Sequence, residues 1–335
     1  MRIKILLLIT LWPALLSFVA ATPALFQAPN SYSGDQPPLG ALVVRQIQAV
    51  PGEFSNLSQA IGSLATKEGP QVIFIYPGHY RESVKVNYKF PLIIQGYTKN
   101  SSDYRHNQVK VENAVSAASV GGNAQSSAIW ARTDFFTMLN INVTNSYGNG
   151  TDTQAVAVTA DGDYQVYKGC VIDSFQDTLY IKSTSSYFFR CLIAGSVDFI
   201  FGAGTAWFEK SKIAVKQSHS INIITAQRKT VLKTQFVFND SRVVALGNVA
   251  NQSTYLGRPW SENASVTYQF CKLSNIIKPE GWRFWNPNDQ RTQNIKFFEF
   301  QNTGPGSLGE RKYGRRAEAA LNITEVLGSD PESWI

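Results

Sequence analysis

Two aspartates near the middle of the chain combine a residue type and a spacing that could support catalysis. Asp177 lies seven residues after Cys170, Asp198 lies seven residues after Cys191, and the two aspartates are 21 residues apart. Two carboxyl groups held about 5 Å apart cannot both ionise freely, so one of them retains a proton. Such a pair separates into a proton donor and a base or nucleophile, and it titrates as a coupled unit.

Two glutamines follow nearly the same spacing as the aspartates. The interval from Gln154 to Gln176 is one residue longer than the interval between the aspartates, and Gln176 immediately precedes Asp177. Carboxamide groups can donate hydrogen bonds to an oxygen that becomes negatively charged during a reaction. If the fold stacks residues at this interval, two carboxyl and two carboxamide groups share one surface.

Asp198 has a sequence environment unlike that of an ordinary surface aspartate. It lies within the apolar run Val197–Phe201, where an unpaired carboxylate would be costly. We therefore expect a cation to hold it, and the candidate is Arg258, in the segment Leu256–Trp260. The alternative is that the stacked aspartates only cap turns in a polar ladder.

A repeated sequence pattern indicates which elements would position these residues. An aromatic residue is followed after three residues by a small or apolar one and after five by Ile or Leu. The pattern occurs at Phe136-Leu139-Ile141, Tyr167-Cys170-Ile172, Phe188-Cys191-Ile193, Phe208-Ser211-Ile213 and Tyr268-Cys271-Leu273. Most successive copies are separated by about 20 residues or a multiple of that interval, and such a period predicts a solenoid.

Short apolar runs favour strands over helices as the repeating unit. Val72–Ile75, Pro91–Ile94 and Ala155–Val158 are flanked by turn-forming residues and have the composition of buried parallel strands. Only residues 57–65 and 316–327 resemble helices, and we expect them to cap the two ends of the strand ladder. The sequence predicts an all-β, single-domain, right-handed parallel β-helix over residues 22–335.

The cysteines provide a further expectation about neighbouring coils. Cys170 and Cys191 occupy matching positions in two consecutive copies of the pattern. Residues one coil apart stack at about 4.8 Å, which lies within the Cα separation of disulfides. We therefore expect a Cys170–Cys191 disulfide, with two inward-facing small apolar side chains as the alternative.

The N-terminus predicts export of the protein. Arg2 and Lys4 precede an apolar run that ends near Ala20, as in a secretory signal peptide cleaved after about Ala21, so residues 1–21 are assigned to it. Eight asparagines lie in Asn-x-Ser/Thr sequons, which are typical of secreted glycoproteins: Asn56, Asn100, Asn142, Asn149, Asn239, Asn251, Asn263 and Asn322. We expect an extracellular, monomeric protein that is not inserted in a membrane.

Composition restricts the classes of partner. The chain has 335 residues, 44% of them hydrophobic and 16% charged, which excludes disorder and coiled coils. Its formal charge of +7 falls to +5 once Arg2 and Lys4 are removed, which is compatible with an acidic partner. Because the chain is exported and has no long Lys/Arg cluster, nucleic acid is disfavoured.

Five segments in order resemble the pectin methylesterases (pectinesterases), carbohydrate esterases that remove methyl esters from pectin. They are Gly78–Glu82, Gln154–Val158, Gln176–Tyr180, Gly195–Gly202 and Leu256–Trp260. The resemblance extends from about Leu42 to Pro305, and the opening Gly40–Val44 looks like the secreted fungal branch. It implies methylated homogalacturonan as the substrate and no cofactor or metal.

The resemblance also implies a role for each polar residue. Asp198 would attack the ester carbonyl and form an acyl-enzyme, and Asp177 would protonate the leaving group and then activate water. Gln154 and Gln176 would stabilise the negatively charged intermediate, while Arg258 would orient the nucleophile. A carboxylate nucleophile and a group that alternates between acid and base are both chemically sound.

Aromatic and basic side chains near these motifs are candidates for substrate contact. We expect Tyr180, Phe199 and Trp260 to contact sugar rings, whereas Trp282 and Trp285 fit the core equally well. Three basic residues could meet galacturonate carboxylates or simply be solvated, namely Arg132, Lys182 and Arg228. His79 is expected to be structural.

Other functions remain as alternatives at this level. A retaining glycosidase also uses two carboxyl groups about 5 Å apart, but it does not require the glutamine pair. A calcium-dependent lyase would need three or more clustered acids. No Gly-x-Ser-x-Gly occurs, and the three histidines have no zinc-ligand spacing. A non-catalytic cell-wall binding protein would be favoured if an aspartate or glutamine had been replaced, and none has.

Overall fold

The structure is a computed structural model that describes residues 34–148, 153–229 and 234–335. The expected signal peptide at residues 1–21 and the sequon at Asn149 lie outside these ranges. In the described ranges, no helix is long and apolar enough to cross a membrane.

Strands account for most of the regular structure. They are β1 Leu42–Val44, β2 Gln71–Ile75, β3 Gly78–Arg81, β4 Val84–Val86, β5 Leu92–Gly96, β6 Val109–Asn113, β7 Ile129–Ala131, β8 Phe136–Leu139, β9 Asn142–Asn145, β10 Val158–Ala160, β11 Gln165–Lys168, β12 Val171–Asp173, β13 Leu179–Ile181, β14 Ser186–Phe189, β15 Leu192–Gly195, β16 Ile200–Gly202, β17 Ala206–Glu209, β18 Lys212–Val215, β19 Asn222–Gln227, β20 Phe236–Asn239, β21 Arg242–Ala245, β22 Thr254–Pro259, β23 Ser265–Gln269, β24 Lys272–Leu273, β25 Lys296–Phe300 and β26 Arg315–Arg316. The α-helices are α1 Leu57–Ser63, α2 Ala117–Val120 and α3 Ile323–Leu327. Short 3-10 helices span Leu64–Thr66, Tyr104–His106, Ala124–Ser126, Pro305–Ser307 and Pro331–Ser333.

The strands form three parallel sheets that run along the whole described molecule. Sheet A contains β1, β2, β5, β8, β11, β14, β17, β20, β23, β25 and β26 in that order. Sheet B runs from β3 through β6, β9, β12, β15, β18 and β21 to β24, and sheet C from β4 through β7, β10, β13, β16 and β19 to β22. Each complete coil contributes one strand to each sheet, which confirms the predicted parallel β-helix.

Stacked rings fill the interior behind sheet A. Tyr167, Phe188, Phe208, Phe238 and Tyr268 lie on successive coils, with ring centroids 4.3–4.8 Å apart and planes nearly parallel. All five side chains are fully buried. Because in-register parallel strands place the same position of each coil above the last, the repeated pattern in the sequence becomes a continuous ladder in the core.

The corner between sheets A and B is a single residue with a positive φ angle. It is occupied on successive coils by Asn140, Gly169, Arg190, Lys210, Asp240, Phe270 and Gln301, with φ between 45° and 61°. The residue after this corner points inward again, which explains why the sequence pattern resumes after it.

The structure corrects the alignment of the first copy of the pattern. Tyr167 pairs with Met138 and not with Phe136, so the first copy begins at Met138. Phe136 and Met138 are both fully buried because residues two apart on a strand face the same side. The pattern alone therefore could not distinguish them. A further copy begins at Phe238, and it was missed because Val243 stands where Ile or Leu was required.

The expected Cys170–Cys191 disulfide is wrong, because both thiols are free and buried. Cys170 Sγ donates to the carbonyl oxygen of Met138 at 3.4 Å, and Cys191 Sγ donates to that of Tyr167 at 3.3 Å. On the next coil, Ser211 Oγ donates to the carbonyl oxygen of Phe188 at 3.3 Å in the same way. Stacked positions hold their side chains parallel, so the two sulfur atoms point along one direction instead of towards each other.

Only one of the two terminal helices caps the β-helix. Helix α1 buries Leu57 and Ala60 in the interior core at the N-terminal end, as expected. Helix α3 does not close the other end, because Val326 and Leu327 pack with Trp207 against the outer face of sheet A. Sheet A exposes apolar side chains on that face, and α3 covers them. The expectation of two capping helices is therefore corrected for α3.

Candidate active site

The strand register brings Asp177 and Asp198 onto neighbouring coils. Isolated bridges pair Gln154 with Gln176 and Gln176 with Val197, and the backbone N–H of Asp177 donates to the carbonyl oxygen of Val197 at 3.1 Å. The two aspartates follow these paired residues, so they are separated by one strand spacing of about 4.8 Å. The sequence interval between them thus corresponds to one complete coil.

The backbone turns both aspartates outward at the same place in the coil. Asp177 and Asp198 have positive φ angles of 62° and 48°, in the left-handed region that aspartate tolerates better than most residues. Each lies between a strand of sheet B and a strand of sheet C. Although they point outward, their side chains remain buried, with residue exposures of 8% and 5%.

Arg258 holds the carboxylate of Asp198. Its Nε lies 2.9 Å from Oδ1 of Asp198, and its Nη2 contacts Oδ2, giving a two-pronged ion pair. Arg258 lies on β22, two strands beyond β16, and pairs with Ala226 on the intervening strand. The small side chain of Ala226 leaves a path for the guanidinium to reach back. Its other nitrogen, Nη1, donates to the carbonyl oxygen of Trp285 at 3.2 Å.

Among the residues that the structure describes, no cation forms an ion pair with Asp177 as Arg258 does with Asp198. Asn123 Nδ2 donates to its Oδ2 at 3.0 Å, which leaves the carboxyl group with a neutral partner. Burial raises the pKa of Asp177 well above its ordinary value, and the neighbouring charge of Asp198 raises it further. Asp177 is therefore the member of the pair that retains a proton.

Asp198 experiences two opposing influences on its pKa. Burial raises the pKa of this carboxyl, while Arg258 and, more weakly, Arg283 lower it. Since Arg258 donates directly to both carboxylate oxygens, it stabilises the charged form of Asp198. Burial outweighs the two arginines, so the pKa of Asp198 lies above its ordinary value, but it is raised less than that of Asp177, and Asp198 is the more acidic member of the pair.

The two glutamines flank this pair on the same surface. Gln176 accepts a hydrogen bond at its Oε1 from the backbone N–H of Thr153 at 2.9 Å, which fixes the carboxamide and leaves its amino group as the free donor end. Gln176 is 5% exposed, while Gln154 on the preceding coil is half-buried. The structure therefore brings together the five polar residues that the sequence selected.

The expected substrate contact of Phe199 is wrong. Its side chain is fully buried in the interior core and lies against Gly195, where an added Cβ would come within 2.2 Å of the Cβ of Phe199. Phe201, two residues later, faces outward instead and stacks on Tyr180 with ring centroids 4.4 Å apart. Phe199 points inward because the positive φ of Asp198 reverses the side-chain alternation at that point.

The remaining aromatic candidates separate into site and core. Trp260 is half-buried beside Phe201, at 5.9 Å between ring centroids, so it belongs to the same outer cluster as Tyr180. Trp285 lies under the guanidinium of Arg258, whose Cζ is 4.3 Å from the ring centroid. Trp282 is 1% exposed and stacks on Phe297 in the interior. Of the two tryptophans, Trp285 therefore lies at the site and Trp282 lies in the core.

The three basic candidates have different neighbours. Lys182 Nζ forms an ion pair with Asp161 at 2.7 Å, and Arg132 Nε lies 3.8 Å from the same carboxylate. Arg228 lies over the ring of Trp260 at 5.3 Å, at the edge of the aromatic cluster. His79 contacts Glu112 on sheet B, which agrees with its expected structural role.

Three residues of the site were not selected from the sequence. Phe201 could have been found, because it follows Asp198 by the three residues that separate Tyr180 from Asp177. Asn123 lies next to a 3-10 turn outside the repeating coils, where no periodic signal exists. Arg283 approaches Asp198 from a segment between β24 and β25 that carries no repeat pattern either.

This arrangement can carry out acyl transfer. A carboxyl group paired with an arginine lies beside a carboxyl group whose pKa is strongly raised, carboxamide donors are adjacent, and an aromatic surface extends from the pair. A nucleophile, a proton donor and hydrogen-bond donors for an oxyanion are the parts that ester hydrolysis requires.

Comparison with known proteins agrees with this chemistry. The profile of the Pectinesterase family matches residues 43–319. "Probable pectinesterase A" of Neosartorya fischeri is 35% identical over 288 residues, covering 85% of this chain and 86% of its own length. The crystal structure of the pectin methylesterase from Aspergillus niger superposes with a TM-score of 0.82 at 31% identity, covering 90% of this chain and 98% of that one. A pectin methylesterase in complex with a hexasaccharide superposes with a TM-score of 0.74 at 25% identity, covering 86% and 97%. The chain belongs to the pectinesterase family.

Proposed function

We propose that Asp198 is the nucleophile with which this pectin methylesterase removes methyl esters from the galacturonate units of pectin. The family membership gives the reaction, in which methanol is released and demethylated pectin remains. What supports the assignment of Asp198 is one observation: it is the carboxyl group that Arg258 pairs with, beside a second carboxyl group whose pKa burial raises well above its ordinary value.

The first half-reaction forms an acyl-enzyme. An Oδ atom of Asp198 attacks the ester carbonyl carbon, and the carbonyl oxygen becomes negatively charged in the tetrahedral intermediate. Gln154 and Gln176 donate hydrogen bonds to that oxygen. The bond to the methoxy oxygen then breaks, and Asp177 transfers its proton to this oxygen, so that methanol leaves and an anhydride links Asp198 to the sugar.

The second half-reaction restores the enzyme. Asp177, now ionised, takes a proton from water, and the resulting hydroxide attacks the carbonyl carbon of the galacturonyl group. The anhydride bond breaks and Asp198 leaves as a carboxylate paired with Arg258. The product acid ionises in solution, so each turnover releases one methanol and one proton.

The aromatic cluster of Tyr180, Phe201 and Trp260 supports binding of the polymer. These rings lie beside the acid pair on the outer surface, and Tyr180 and Phe201 are stacked face to face. Planar rings beside a reacting group commonly carry sugar faces. We assign the pectin chain to this surface.

The first test measures both the reaction and the nucleophile. Incubated with highly methylated pectin, the purified protein is expected to release methanol and acidify the medium without loss of viscosity. Asp198→Ala is expected to lower the rate by about 10³-fold or more, because it removes the atom that forms the covalent intermediate. Asp240→Ala, a change at an exposed aspartate with a similar positive φ, is the control.

Two outcomes would contradict this proposal separately. Rapid loss of viscosity with new reducing ends would identify a depolymerase and overturn the reaction. Methanol release by a folded Asp198→Ala protein at a rate near that of the native protein would overturn the nucleophile while leaving the reaction intact. Circular dichroism establishes that the variant is folded.

The sequence also supports a secreted, glycosylated and monomeric protein with a single mature domain over residues 22–335. The apolar N-terminal run follows Arg2 and Lys4. Of the sequon asparagines in the described ranges, Asn100, Asn251, Asn263 and Asn322 are exposed and accessible to a glycan. An extracellular location agrees with a substrate that is a cell-wall polymer.

A further inference from the structure

Three cations are stacked on the outer face of sheet B. Lys212 on β18 pairs with Arg242 on β21, and Arg242 pairs with Lys272 on β24, so their backbones follow one another at about 4.8 Å along the sheet. All three side chains are exposed. Like charges directly opposite each other on neighbouring strands destabilise a sheet. The fold therefore retains a repulsion that an anionic ligand would relieve.

The corner between sheets A and B extends this cluster of cations. Arg190 and Lys210 occupy the corner on two successive coils, Asp240 and Phe270 occupy it on the next two, and all four are exposed. The corner and the stacked cations together form what we call the basic strip: Arg190, Lys210, Lys212, Asp240, Arg242, Phe270 and Lys272. Its five cations and one carboxylate give a formal charge of +4, compared with +5 for residues 22–335 as a whole. Most of the net charge of these residues is thus concentrated along one strip.

Carboxylates near the strip are occupied by other groups. In the described ranges, every ion pair within 4.0 Å involves basic residues outside the strip. Glu209, next to the corner, accepts hydrogen bonds from Trp207 Nε1 and Asn239 Nδ2, each at 2.8 Å. Asp173 on sheet B pairs with Lys216. The cations of the strip thus face solvent without a protein carboxylate in direct contact.

An aromatic ring accompanies the charges. Phe270 lies two residues before Lys272 and is 42% exposed. Its φ angle is 55°, and a bulky side chain in the left-handed region is strained, which is a feature that clusters at functional positions. Phe300 contacts the ring in a T-shaped arrangement with centroids 5.4 Å apart. The backbone thus presents an aromatic ring to solvent beside stacked cations.

This combination suits a linear polymer that carries a ring and a carboxylate in every unit. Each galacturonate unit of demethylated pectin offers a sugar face to an aromatic ring and a carboxylate to a cation. A methyl-esterified unit offers only the sugar face. Because the stacked cations follow the axis of the β-helix, successive carboxylates of an extended chain can meet them in turn.

The basic strip is separate from the active site. On the coil of Asp198, Leu192 occupies the position that Lys212 has on the next coil, and the rest of β15 and a turn lie between Leu192 and Asp198. The strip therefore follows the edge of sheet B next to sheet A, whereas the two aspartates lie at the edge next to sheet C. A polymer bound along the strip leaves the acid pair free.

We propose that the basic strip is a second, non-catalytic binding surface for demethylated pectin. The inference rests on the proposed function, since demethylated pectin is the product of that reaction. Binding there retains the enzyme on stretches of polymer that it has already demethylated, while the active site remains open to methylated chains.

The test measures retention of the secreted protein on immobilised unesterified polygalacturonate, as the salt concentration that elutes it. Salt screens exposed charges, so the elution point reports their contribution to binding. For the triple variant Lys212→Gln/Arg242→Gln/Lys272→Gln we expect elution at less than about half the salt concentration that the native protein requires. Its dissociation constant for the polymer should rise by about tenfold, because three exposed charge contacts of modest strength are lost together.

Two control variants separate the strip from charge in general and from folding. Lys67→Gln/Lys89→Gln/Lys99→Gln removes three exposed positive charges outside the strip and should change the dissociation constant by less than about twofold. Exchange of lysine for arginine and of arginine for lysine at the three stacked positions keeps the charges and should keep the affinity. The melting temperature of the glutamine variant of the stacked cations should not fall, since it relieves a repulsion.

The aromatic ring tests which polyanion the strip accepts. Phe270→Asn places a residue that tolerates a positive φ at the corner and removes the ring. It should weaken binding of polygalacturonate by about threefold or more and leave binding of polyglutamate unchanged. Equally tight binding of the two polymers by the native protein would identify a general anion-attracting surface and overturn the inference.

Kinetics separates the strip from the active site. On a short methyl-esterified oligogalacturonate, kcat/KM of the triple glutamine variant of Lys212, Arg242 and Lys272 should stay within about twofold of the native value. A fall in kcat/KM as large as the loss of affinity would place the strip in the catalytic groove and overturn the inference. Unchanged retention of this variant on polygalacturonate would overturn it as well.

Failure of this inference and failure of the proposed function are distinguishable. Methanol release by the native protein tests the function alone, whatever the strip variants do. Retention on unesterified polygalacturonate requires no turnover, so it tests the strip even in the Asp198→Ala protein. Native methanol release with unchanged retention of the triple glutamine variant would reject the strip and retain the reaction.

Discussion

Asp177 and Asp198 are the same chemical group in two environments that differ in a few contacts. Asp198 receives a two-pronged ion pair from Arg258, whereas Asp177 receives a hydrogen bond from the neutral carboxamide of Asn123. Both lie on equivalent turns with positive φ, so the backbone does not distinguish them. The surrounding side chains distinguish the two carboxyl groups, and in the proposed mechanism this difference decides which one attacks and which one donates a proton.

The raised pKa of Asp177 has a consequence for stability. A carboxyl whose pKa is higher in the folded than in the unfolded protein binds its proton more tightly in the folded state. The free energy of unfolding therefore decreases as the pH rises from the ordinary pKa of aspartate to the folded pKa of Asp177. Asp177→Asn removes this titration, so the variant should lose less stability than the native protein over that interval.

Thermal unfolding at a series of pH values measures the effect. Asp240→Asn is the matched control, because Asp240 also has a positive φ, at 45°, but is exposed. It reproduces the preference of asparagine for this conformation without removing a buried carboxyl. If the melting temperatures of the native and Asp177→Asn proteins changed with pH in the same way across the whole interval, the assignment would be contradicted.

Methanol release by Asp177→Asn should fall by about 10²-fold or more, since the proton donor is lost.

Single residues also show how far the sequence could be interpreted. The matching sequence intervals were sufficient to predict that Asp177 stacks with Asp198 and Gln154 with Gln176. In in-register coils, residues separated by the length of one coil become neighbours in space. The pairing of Arg258 with Asp198 was expected from the apolar surroundings of the aspartate. Asn123 could not be predicted, since it reaches the site from a segment without periodicity.

At the scale of single elements, the corner after the strands of sheet A from β8 to β25 determines which side chains enter the core. A residue with positive φ interrupts the alternation of the strand, and at five of these corners the next side chain donates to a carbonyl of the preceding coil. Cys170, Cys191, Ser211, Ser241 and Cys271 all donate in this manner. A small donor side chain is what these positions share, so cysteine and serine occupy equivalent sites.

This corner predicts the behaviour of the thiols. Denatured without reductant, the protein should react as three free thiols per chain, because none of the three cysteines is oxidised. Cys191→Ser should change the free energy of unfolding by no more than about 1 kcal/mol, since the hydroxyl can make the same hydrogen bond. Removal of a native disulfide would instead cost about 2–5 kcal/mol.

The same element explains two errors of sequence interpretation. Matching spacing correctly placed Cys170 next to Cys191 but could not show that their side chains run parallel. The strand preceding the corner has inward residues at every second position, so Phe136 satisfied the pattern as well as Met138 did. Phe199 was misassigned because the turn at Asp198 breaks the inward–outward alternation of side chains. Orientation at a turn depends on φ, which spacing does not report.

At the scale of the whole molecule, the three sheets explain why the site lies on an open face. The aspartates occur where sheet B passes into sheet C, and the aromatic rings continue along the outer surface of sheet C. A linear polymer can lie against such a surface over several units. The overall class of fold was predictable because every coil repeats the same signals, whereas α3 was misplaced because packing on an outer face leaves no period in the sequence.

The whole-molecule proposal of secretion gives a separate prediction. Protein collected from a culture medium should begin near Thr22, and enzymatic removal of N-linked glycans should lower its mass. Substitution of the exposed sequon residues Asn100, Asn251, Asn263 and Asn322 by Gln should reduce that mass shift. Protein that retains Met1 and stays inside the cells would contradict it, and light scattering would show whether the mature protein is a monomer.

The one-residue corner between sheets A and B recurs on coils that differ in length. The coil from Ser211 to Ser241 is longer than the coil from Cys170 to Cys191 by nearly half. The additional residues lie in other parts of the coil, because the corner keeps the same length. Insertions and deletions on the sheet C side are therefore compatible with an unchanged interior. Evolution, or a protein engineer, can remodel the surroundings of the substrate without repacking the scaffold that carries the two aspartates.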